Sequence, residues 1–585
     1  MAEEIDIKQL TGAMEHARRK LQPYRERRLE AVREYVGYNY SDSGSDDRMP
    51  INFLELAINT YRRQIAAANP QVTVSTINPQ LEDISARFEL AMNKTLREID
   101  FDRTLQLWVF DALFSIGIIK VGISGSSHEK THGILHDVGQ PYADLVDLDD
   151  FVFDIHASRW EDVQFAGNRF IVPYDEALES GLIPEDRKNE IKPTGFYSTT
   201  NEQGDQKVQS ITSGYSRTGE DYYLETVELW EVWLPIENKI VLLASNDDGS
   251  ISSKKALSEK EWDGPEYGPY HLLRYNDVPG SIMPLPPVSV LTDLNDLANR
   301  MFRKLGRQAE RQKTVTVVQS GAENDGERIL NADDGDMVRS DRPEATKEMQ
   351  YGGIDQTSLA FLLQVRDMFS YMGGNLDTLA GLSPVADTLG QEQMVRSSSS
   401  QRIIDMQERT SGAVRDVMRA MGWYLWHDPI SDYEVSRQIS ETLAIDTSFS
   451  ADDREGDFFE HEIDIIPFSM QSRSPAERLQ TLNAMLSNVL MPLSPVMNQQ
   501  GKTIDFDKFI ELSAKYSNVP EIKELINEAM PMMAPESPGT PAGPAERRYV
   551  RQNAGGMGRA DRDNVMSRAL MGSNPQQAEM RKASQ

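Results

Sequence analysis

The sequence predicts an α+β chain of several units, on three observations. A helix-rich start gives way near residue 117 to segments of strand period. A small β-patterned stretch, 314–354, interrupts a helical run that otherwise extends from 288 to 426. The final stretch, 534–585, is rich in Pro, Gly and Arg and carries little that could form a core. With 585 residues and about 100–200 residues per domain, three to five units are expected.

Charge and composition exclude several function classes. The chain has 61 Lys and Arg against 92 Asp and Glu, a formal net charge of −31. A protein that coats DNA through phosphate contacts needs a cationic surface, so that class is not expected. A protein that DNA slides past remains compatible. There is no cysteine, which removes disulfides, thiolate catalysis, Cys-ligated zinc and iron–sulfur clusters. The opening MAEEIDIKQL is acidic and does not read as a signal peptide, and no apolar run approaches the ~20 residues of a membrane span. No membrane partner is expected.

Taken in order, residues 4–38 read as a charged helix with a thin stripe of Leu10, Met14, Ala17, Leu21 and Leu29. SDSGSDDR (41–48) breaks it. A second helix is expected over 51–68, on Phe53, Leu56, Ala57, Thr60 and Tyr61, stopping before Asn69-Pro70. VTVST (72–76) alternates as a strand. Helices follow at 80–98 and 102–115, the latter with a strongly apolar face of Leu105, Trp108, Val109, Ala112 and Leu113. Strand patterns then cover 117–124, 143–153 and 169–173. A Ser-, Thr- and Gly-rich loop is expected at 195–220, and 222–235 can pair with 238–245 as a hairpin.

PGSIMPLPPVSV (279–290) leads stiffly into a helix over 288–313. Strands are expected at 314–321 and, after a turn, within 331–340. Helix returns at 356–372 with Leu359, Leu362, Leu363, Val365, Met368, Phe369 and Met372. The stretch 373–390 has helix-breaking composition, with Gly373, Gly374, Gly381 and Pro384. Thr388 and Gln391 form a capping box that opens a long helix to Trp426, and 433–468 is strand-like. A second box at Ser474-Pro475-Ala476-Glu477 opens a helical unit over 474–532. A compact insertion between helices 288–313 and 356–372 forces them antiparallel. It then projects on a two-helix stalk of about 26–40 Å, a module that gains burial from neighbouring copies.

Four constellations carry candidate chemistry. Arg300, Arg303, Lys304, Arg307 and Arg311 fall on one helix face, opposite an apolar row of Leu291, Leu294, Ala298, Met301 and Leu305. The stripe suits DNA phosphates or an acidic neighbouring subunit; a solvated face is the plain alternative. His128-Glu129-Lys130-Thr131-His132 matches H-E-x-x-H, with His136 beyond. Zinc hydrolysis needs that motif on a helix, whereas GISGSS before it and Gly133 after it suggest a strand-to-strand loop. Asp147, Asp149, Asp150 and Asp154 could hold Mg²⁺ or do acid–base work, but VDLDDFVFD reads more simply as alternation with polar side chains facing solvent. The loop 373–390 between long helices is placed to touch a central substrate if those helices line a ring. There is no P-loop and no G-x-G-x-x-G.

The order of these parts resembles the portal proteins, the head-to-tail connectors of tailed double-stranded DNA bacteriophages. The resemblance covers about residues 50–470. It rests on PLPPVSVLTDLNDLANRMFRKLGRQAERQ, the insertion with NADDGDMV, the returning helix, the Gly-rich loop and the helix beginning TLGQEQMVRSSSSQRIIDMQERT. INFLELAINTYRRQIAAANPQVTV and DALFSIGIIKVGI are similar to the family's early wing segments.

The resemblance implies a portal fold: wing 1–285, stem helix 286–313, clip 314–354, second stem helix 355–375, tunnel loop 376–390, long wing helix 391–428, wing completion 429–470, helical crown 471–533 and a disordered tail 534–585. It implies tunnel-loop residues Leu376, Asp377, Thr378, Leu379, Ala380, Gly381, Leu382, Ser383 and Pro384, and clip contacts at Asp333, Asp334, Gly335 and Asp336 for terminase or an adaptor. It further implies a ring of twelve copies at one capsid vertex of the virion, made in the host bacterial cytoplasm. That ring would conduct double-stranded DNA in packaging and ejection. Its partners would be the terminase large subunit, the major capsid protein, scaffolding protein and head-completion or tail adaptor proteins. No catalytic residue, metal or cofactor is implied. A mostly negative channel wall fits DNA passage, because tight phosphate contacts would stall the duplex. The tail arginines (Arg547, Arg548, Arg551, Arg559, Arg562, Arg568) offer contacts inside the head or simple solubility. The competing classes are a metal-dependent hydrolase using His128, Glu129 and His132, and another head–tail adaptor.

Overall fold

A computed structural model describes residues 5–36, 51–66, 69–125, 130–131, 134–179, 181, 183–191, 226–246, 250–252, 255–333, 335–340, 346–376, 389–429, 432–440, 443–454, 456–466 and 469–470, with a few single positions between 483 and 509. The chain divides into two compact units, Met1–Ser474 and Pro475–Gln585. The division falls inside the Ser474-Pro475 capping box. The second unit contributes only the single positions, so the expected crown and tail lie outside the described residues. The first unit mixes helices with antiparallel sheets, as an α+β chain should.

The helices are α1 (Ile7–Val36), α2 (Phe53–Ile65), α3 (Glu82–Glu98), α4 (Phe101–Phe114), α5 (Tyr174–Glu179), α6 (Ser289–Glu310), α7 (Glu323–Leu330), α8 (Gln356–Met372) and α9 (Leu389–His427). The strands are β1 (Val72–Thr76), β2 (Gly117–Ile123), β3 (Lys130–Thr131), β4 (Ile134–Leu135), β5 (Pro141–Leu145), β6 (Phe151–Phe153), β7 (Ala166–Pro173), β8 (Thr226–Leu234), β9 (Lys239–Ala244), β10 (Ser258–Glu261), β11 (Tyr270–Leu273), β12 (Lys313–Val318), β13 (Thr346–Tyr351), β14 (Tyr433–Ser440), β15 (Leu443–Phe449) and β16 (His461–Ile465). Among the described residues no helix is long and apolar enough to cross a membrane.

The largest core lies where α2, α3, α4 and α9 meet the β11-β2-β5 sheet and the β1–β16 pair. All five residues expected on the apolar face of α4 are buried there, Trp108 fully so. β1 pairs with β16 across nearly four hundred positions, Val74 opposite Ile463. Such a contact is invisible to local pattern. A five-stranded antiparallel sheet, β10-β9-β8-β7-β6, forms the second layer. Met14 and Ala17 of α1 pack with Trp230 and Val232 on one face, while Ala177 and Ile183 pack with Val227 and Leu229 on the other.

Expectations in two segments need correction here. The run 143–153 is not one strand: a 3₁₀ turn at Leu148–Asp150 separates β5 from β6. Its acids are not a solvated face either. Arg28 of α1 pairs with Asp147 at 2.7 Å and Asp149 at 3.3 Å. Arg25, nearly buried, donates to the carbonyls of Leu148 and Phe151. The acidic run is therefore the seat of α1. In the insertion, no strand forms at 336–340, and the second strand is β13 at Thr346–Tyr351. A short helix, α7, occupies 323–330, where no helix was expected. Its short length and the interior Gly326 hide it from periodicity.

Candidate functional site

Helices α6 and α8 run antiparallel and carry the β12–β13 hairpin and α7 at their shared end, which is the expected stalk and insertion. Leu305 and Ala298 of α6 pack on Leu362 and Val365 of α8, with Phe53 and Met301 alongside. Asp355 caps α8 by accepting from Thr357 N and Ser358 N. Those hydrogen bonds, which include both hydroxyls, hold its carboxyl down at about 2. At the other end Phe369 and Leu376 enter the large core, Phe369 tilted against Phe53 at 5.3 Å.

The root of the stalk is fixed by buried amides that the sequence reading did not single out. Asn295 and Asn299 of α6 are fully buried. Ile51 N donates to Asn299 Oδ1 at 3.1 Å and Phe53 N to Asn295 Oδ1 at 3.2 Å, satisfying amides at the start of α2. Asn295 Nδ2 donates to Glu34 Oε2 of α1 at 3.3 Å. Burial pushes the Glu34 carboxyl up to about 7; the Asn295 bond pulls it down, and Asp296, Asp293 and Glu30 push it further up. Three helices thus converge on two asparagines. The only sequence signal was polarity at i, i+4 where the apolar row should continue.

The basic stripe lies where spacing put it. Arg300, Lys304, Arg307 and Arg311 are exposed and Arg303 is half-buried, on the face of α6 turned away from the packed row. Arg300 pairs with Asp296 at 2.8 Å, and Arg303 Nε donates to Asn299 O at 3.3 Å. Asp293 and Asp296 lie on the same face nearer the wing, so the stripe is acidic at its root and basic toward the insertion.

The clip acids sit in an exposed turn. Asp333 N donates to Asp336 Oδ2 at 3.2 Å, Asp336 N to Asp333 O at 3.0 Å, and Gly335 takes φ 95°. Asp334 lies outside the described residues.

Of the tunnel-loop residues only Leu376 is described, and it corrects the reading. It is 1% exposed, within the large core, so it cannot touch a passing ligand. Gly373 O accepts from Tyr61 Oη at 2.7 Å, Gly374 and Asn375 take positive φ, and Arg402 of α9 donates to Met372 O. The chain is pinned up to 376. Asp377, Thr378, Leu379, Ala380, Gly381, Leu382, Ser383 and Pro384 lie outside the described residues, as does Thr388.

His128, Glu129 and His132 also lie outside them. Lys130 and Thr131 pair antiparallel with Leu135 and Ile134, so these two positions of the motif are strand and not the helix that zinc hydrolysis requires. His136 is buried, its Nε2 bound to Thr131 Oγ1 at 2.9 Å and its ring stacked on Tyr142. It lines a cavity of about 290 Å³ with Lys120, Asp144, Asp150, Arg169 and Glu231. Lys120 pairs with Glu231 at 2.8 Å, and Arg169 with Asp150 and Glu228. The Lys120–Glu231 pair ties the two sheets together, whereas the Arg169 pairs stay within the five-stranded sheet and the turn leading into it. Among the described residues no group of three or more His, Asp or Glu is arranged to hold a metal ion.

No family model matches the chain, and no curated protein sequence matches it.

Proposed function

We propose that this chain is a portal protein: one copy of a ring that conducts double-stranded DNA through a capsid vertex of a tailed bacteriophage. The observation that carries the reading is the stalk. Helix α8 keeps Leu362, Val365 and Phe369 against its own chain, yet leaves Leu359 and Leu363 open on one flank and Phe361 and Met368 open on the other, each more than 40% exposed. A helix apolar on both flanks belongs inside an assembly. Open flanks on two sides suit a head-to-tail contact repeated around a closed ring.

The order of parts supports the same reading. A projecting clip, a pinned return at Tyr61–Gly373 and a long helix, α9, follow each other as in the family that the sequence resembles. On this reading the clip turn at Asp333–Asp336 meets the terminase large subunit and later the head-completion or tail adaptor proteins. Capsid and scaffolding proteins meet the outside of the wing, the stretch after Leu376 approaches the DNA, and the net charge of −31 keeps the wall from holding phosphates. The protein acts without catalysis or cofactor, in the virion.

Native mass of the purified chain, with electron microscopy, tests the proposal. Closed rings with a central hole wide enough for duplex DNA are the expected result. A chain that stays monomeric under every assembly condition, and is absent from virions, would refute it.

A further inference from the structure

The clip leaves one face of its hairpin bare. In the β12–β13 pair Val315 stands opposite Met349, Lys313 opposite Tyr351 and Val317 opposite Lys347. Side chains alternate, so these six share one face. Helix α7 takes the other: Asp325 and Gly326 are buried against it, and a Cβ on Gly326 would sit 2.4 Å from Val318 Cγ2. The apolar four of the bare face, Val315, Val317, Met349 and Tyr351, are 42%, 39%, 45% and 51% exposed. A two-stranded hairpin covered on one side only is marginal in water.

The opposite side of the same clip carries a matching patch. Leu330, at the end of α7, is 69% exposed and Met337 is fully exposed. Glu327 and Asp336 line the shallow cavity beside Met337 together with Arg328 and Arg339, all exposed. The bare hairpin face is bordered by exposed Lys313 and Lys347. Apolar area can meet apolar area, with Glu327 and Asp336 available to Lys313 and Lys347, but only between two copies, because α7 and the bare face lie on opposite sides of one sheet.

We infer that the bare β12–β13 face of each clip is covered by the α7 end of the next copy, Leu330 and Met337 seating on Val315 and Met349. The inference rests on the ring reading and specifies its contact at the clip. Each copy gives one patch and receives one, the head-to-tail arrangement that closes under rotation. The bare face also continues along the chain through half-exposed Ile354 into the open flank of α8 at Leu359, so a neighbour seated on the stalk reaches the clip without a gap.

The chain has no cysteine, so cross-linking can be read cleanly. Val317→Cys with Leu330→Cys, in the full chain assembled as rings and treated with a short bis-maleimide, should give a covalent ladder on denaturing gels up to ring size. Either single variant should stay monomeric, because the neighbour then offers no thiol at the facing position. Rings that form but yield no ladder, with this pair or with Tyr351→Cys and Met337→Cys, overturn the inference and leave the conduit reading standing. Cross-linking of position 317 only to a tail or terminase protein assigns the face to that partner and also overturns it. Absence of rings altogether overturns both. Should the cysteine variants fold poorly, Val315→Asp with Met349→Asp serves instead. It should raise the concentration at which rings fall apart about tenfold or more, with the wing's circular dichroism unchanged; an unchanged midpoint in a folded variant counts against the contact.

Discussion

If the chain assembles as proposed, replacing Phe361 and Met368 by glutamine separates the stability of one copy from that of the assembly. The two residues lie seven positions, or two turns, apart on one flank of α8 and are 44% and 55% exposed. Glutamine has nearly the helix propensity of methionine, so the isolated helix should tolerate the change. Fully burying an apolar side chain of this size stabilises by about 1.5–3 kcal/mol, and roughly half of each is still open, which leaves about 1 kcal/mol per residue for a neighbour to supply. Glutamine would forfeit that and bring a desolvated amide costing about 1–3 kcal/mol at each position. The sum is about 4 kcal/mol or more per subunit contact, a loss of at least a hundredfold in affinity. The assay is the mass distribution against concentration, beside the thermal midpoint and circular dichroism of the single copy. The expected result is dispersed copies that remain folded. Rings of unaltered stability built from folded variant chains would refute the reasoning, since the flank would then face solvent in the assembly.

Glu34 gives a pH prediction. Its folded value near 7 lies above the ordinary 4.5, so the folded chain holds this proton more tightly than the unfolded chain. That stabilisation is fully present below about 4.5 and is lost as pH rises through 7, amounting to about 1–2 kcal/mol after solvent screening of a partly exposed group. Glu34→Gln should flatten the fall in thermal midpoint between pH 5 and 8; an unchanged slope would show that Glu34 is not its source. Tyr61→Phe should cost about 1–2 kcal/mol through the lost bond to Gly373 O, with faster hydrogen exchange concentrated at 373–376 rather than spread over α2. Gly117→Ala should destabilise the wing by about 1–3 kcal/mol, because the new Cβ meets the Trp108 carbonyl oxygen at 2.6 Å; a melting point within error of the parent would contradict that clash. Arg303→Glu with Arg307→Glu should weaken ring assembly if the stripe meets a neighbour, whereas intact rings with altered DNA retention would assign it to the duplex.

Where a helix packs by its own periodicity, the sequence was easy to read. The buried face of α4, the two stalk helices and the position of β12 follow from spacing alone, since side chains three and four apart share a face whatever the rest of the chain does. The basic stripe on α6 is legible for the same reason. The acidic run 147–154 was misread because alternation records which side chains share a side, not whether a guanidinium will arrive from more than a hundred positions away. Helix α7 was missed because eight residues with an internal glycine give too few turns for a period to show.

By itself the sequence determined the mixed helix-and-strand class, the long periodic helices and the net negative charge, all of which depend on local chemistry and composition. Tertiary structure alone decided which polar groups were structural. Asn295 and Asn299 are ordinary helix-surface residues until α2 brings its unpaired amides to them. Leu376 reads as a loop residue until the large core closes over it. The open flanks of α8 could be recognised only once α6 and the large core were seen to cover one side and leave the others bare. Burial is a property of what surrounds a residue, and those surroundings come from distant parts of the chain.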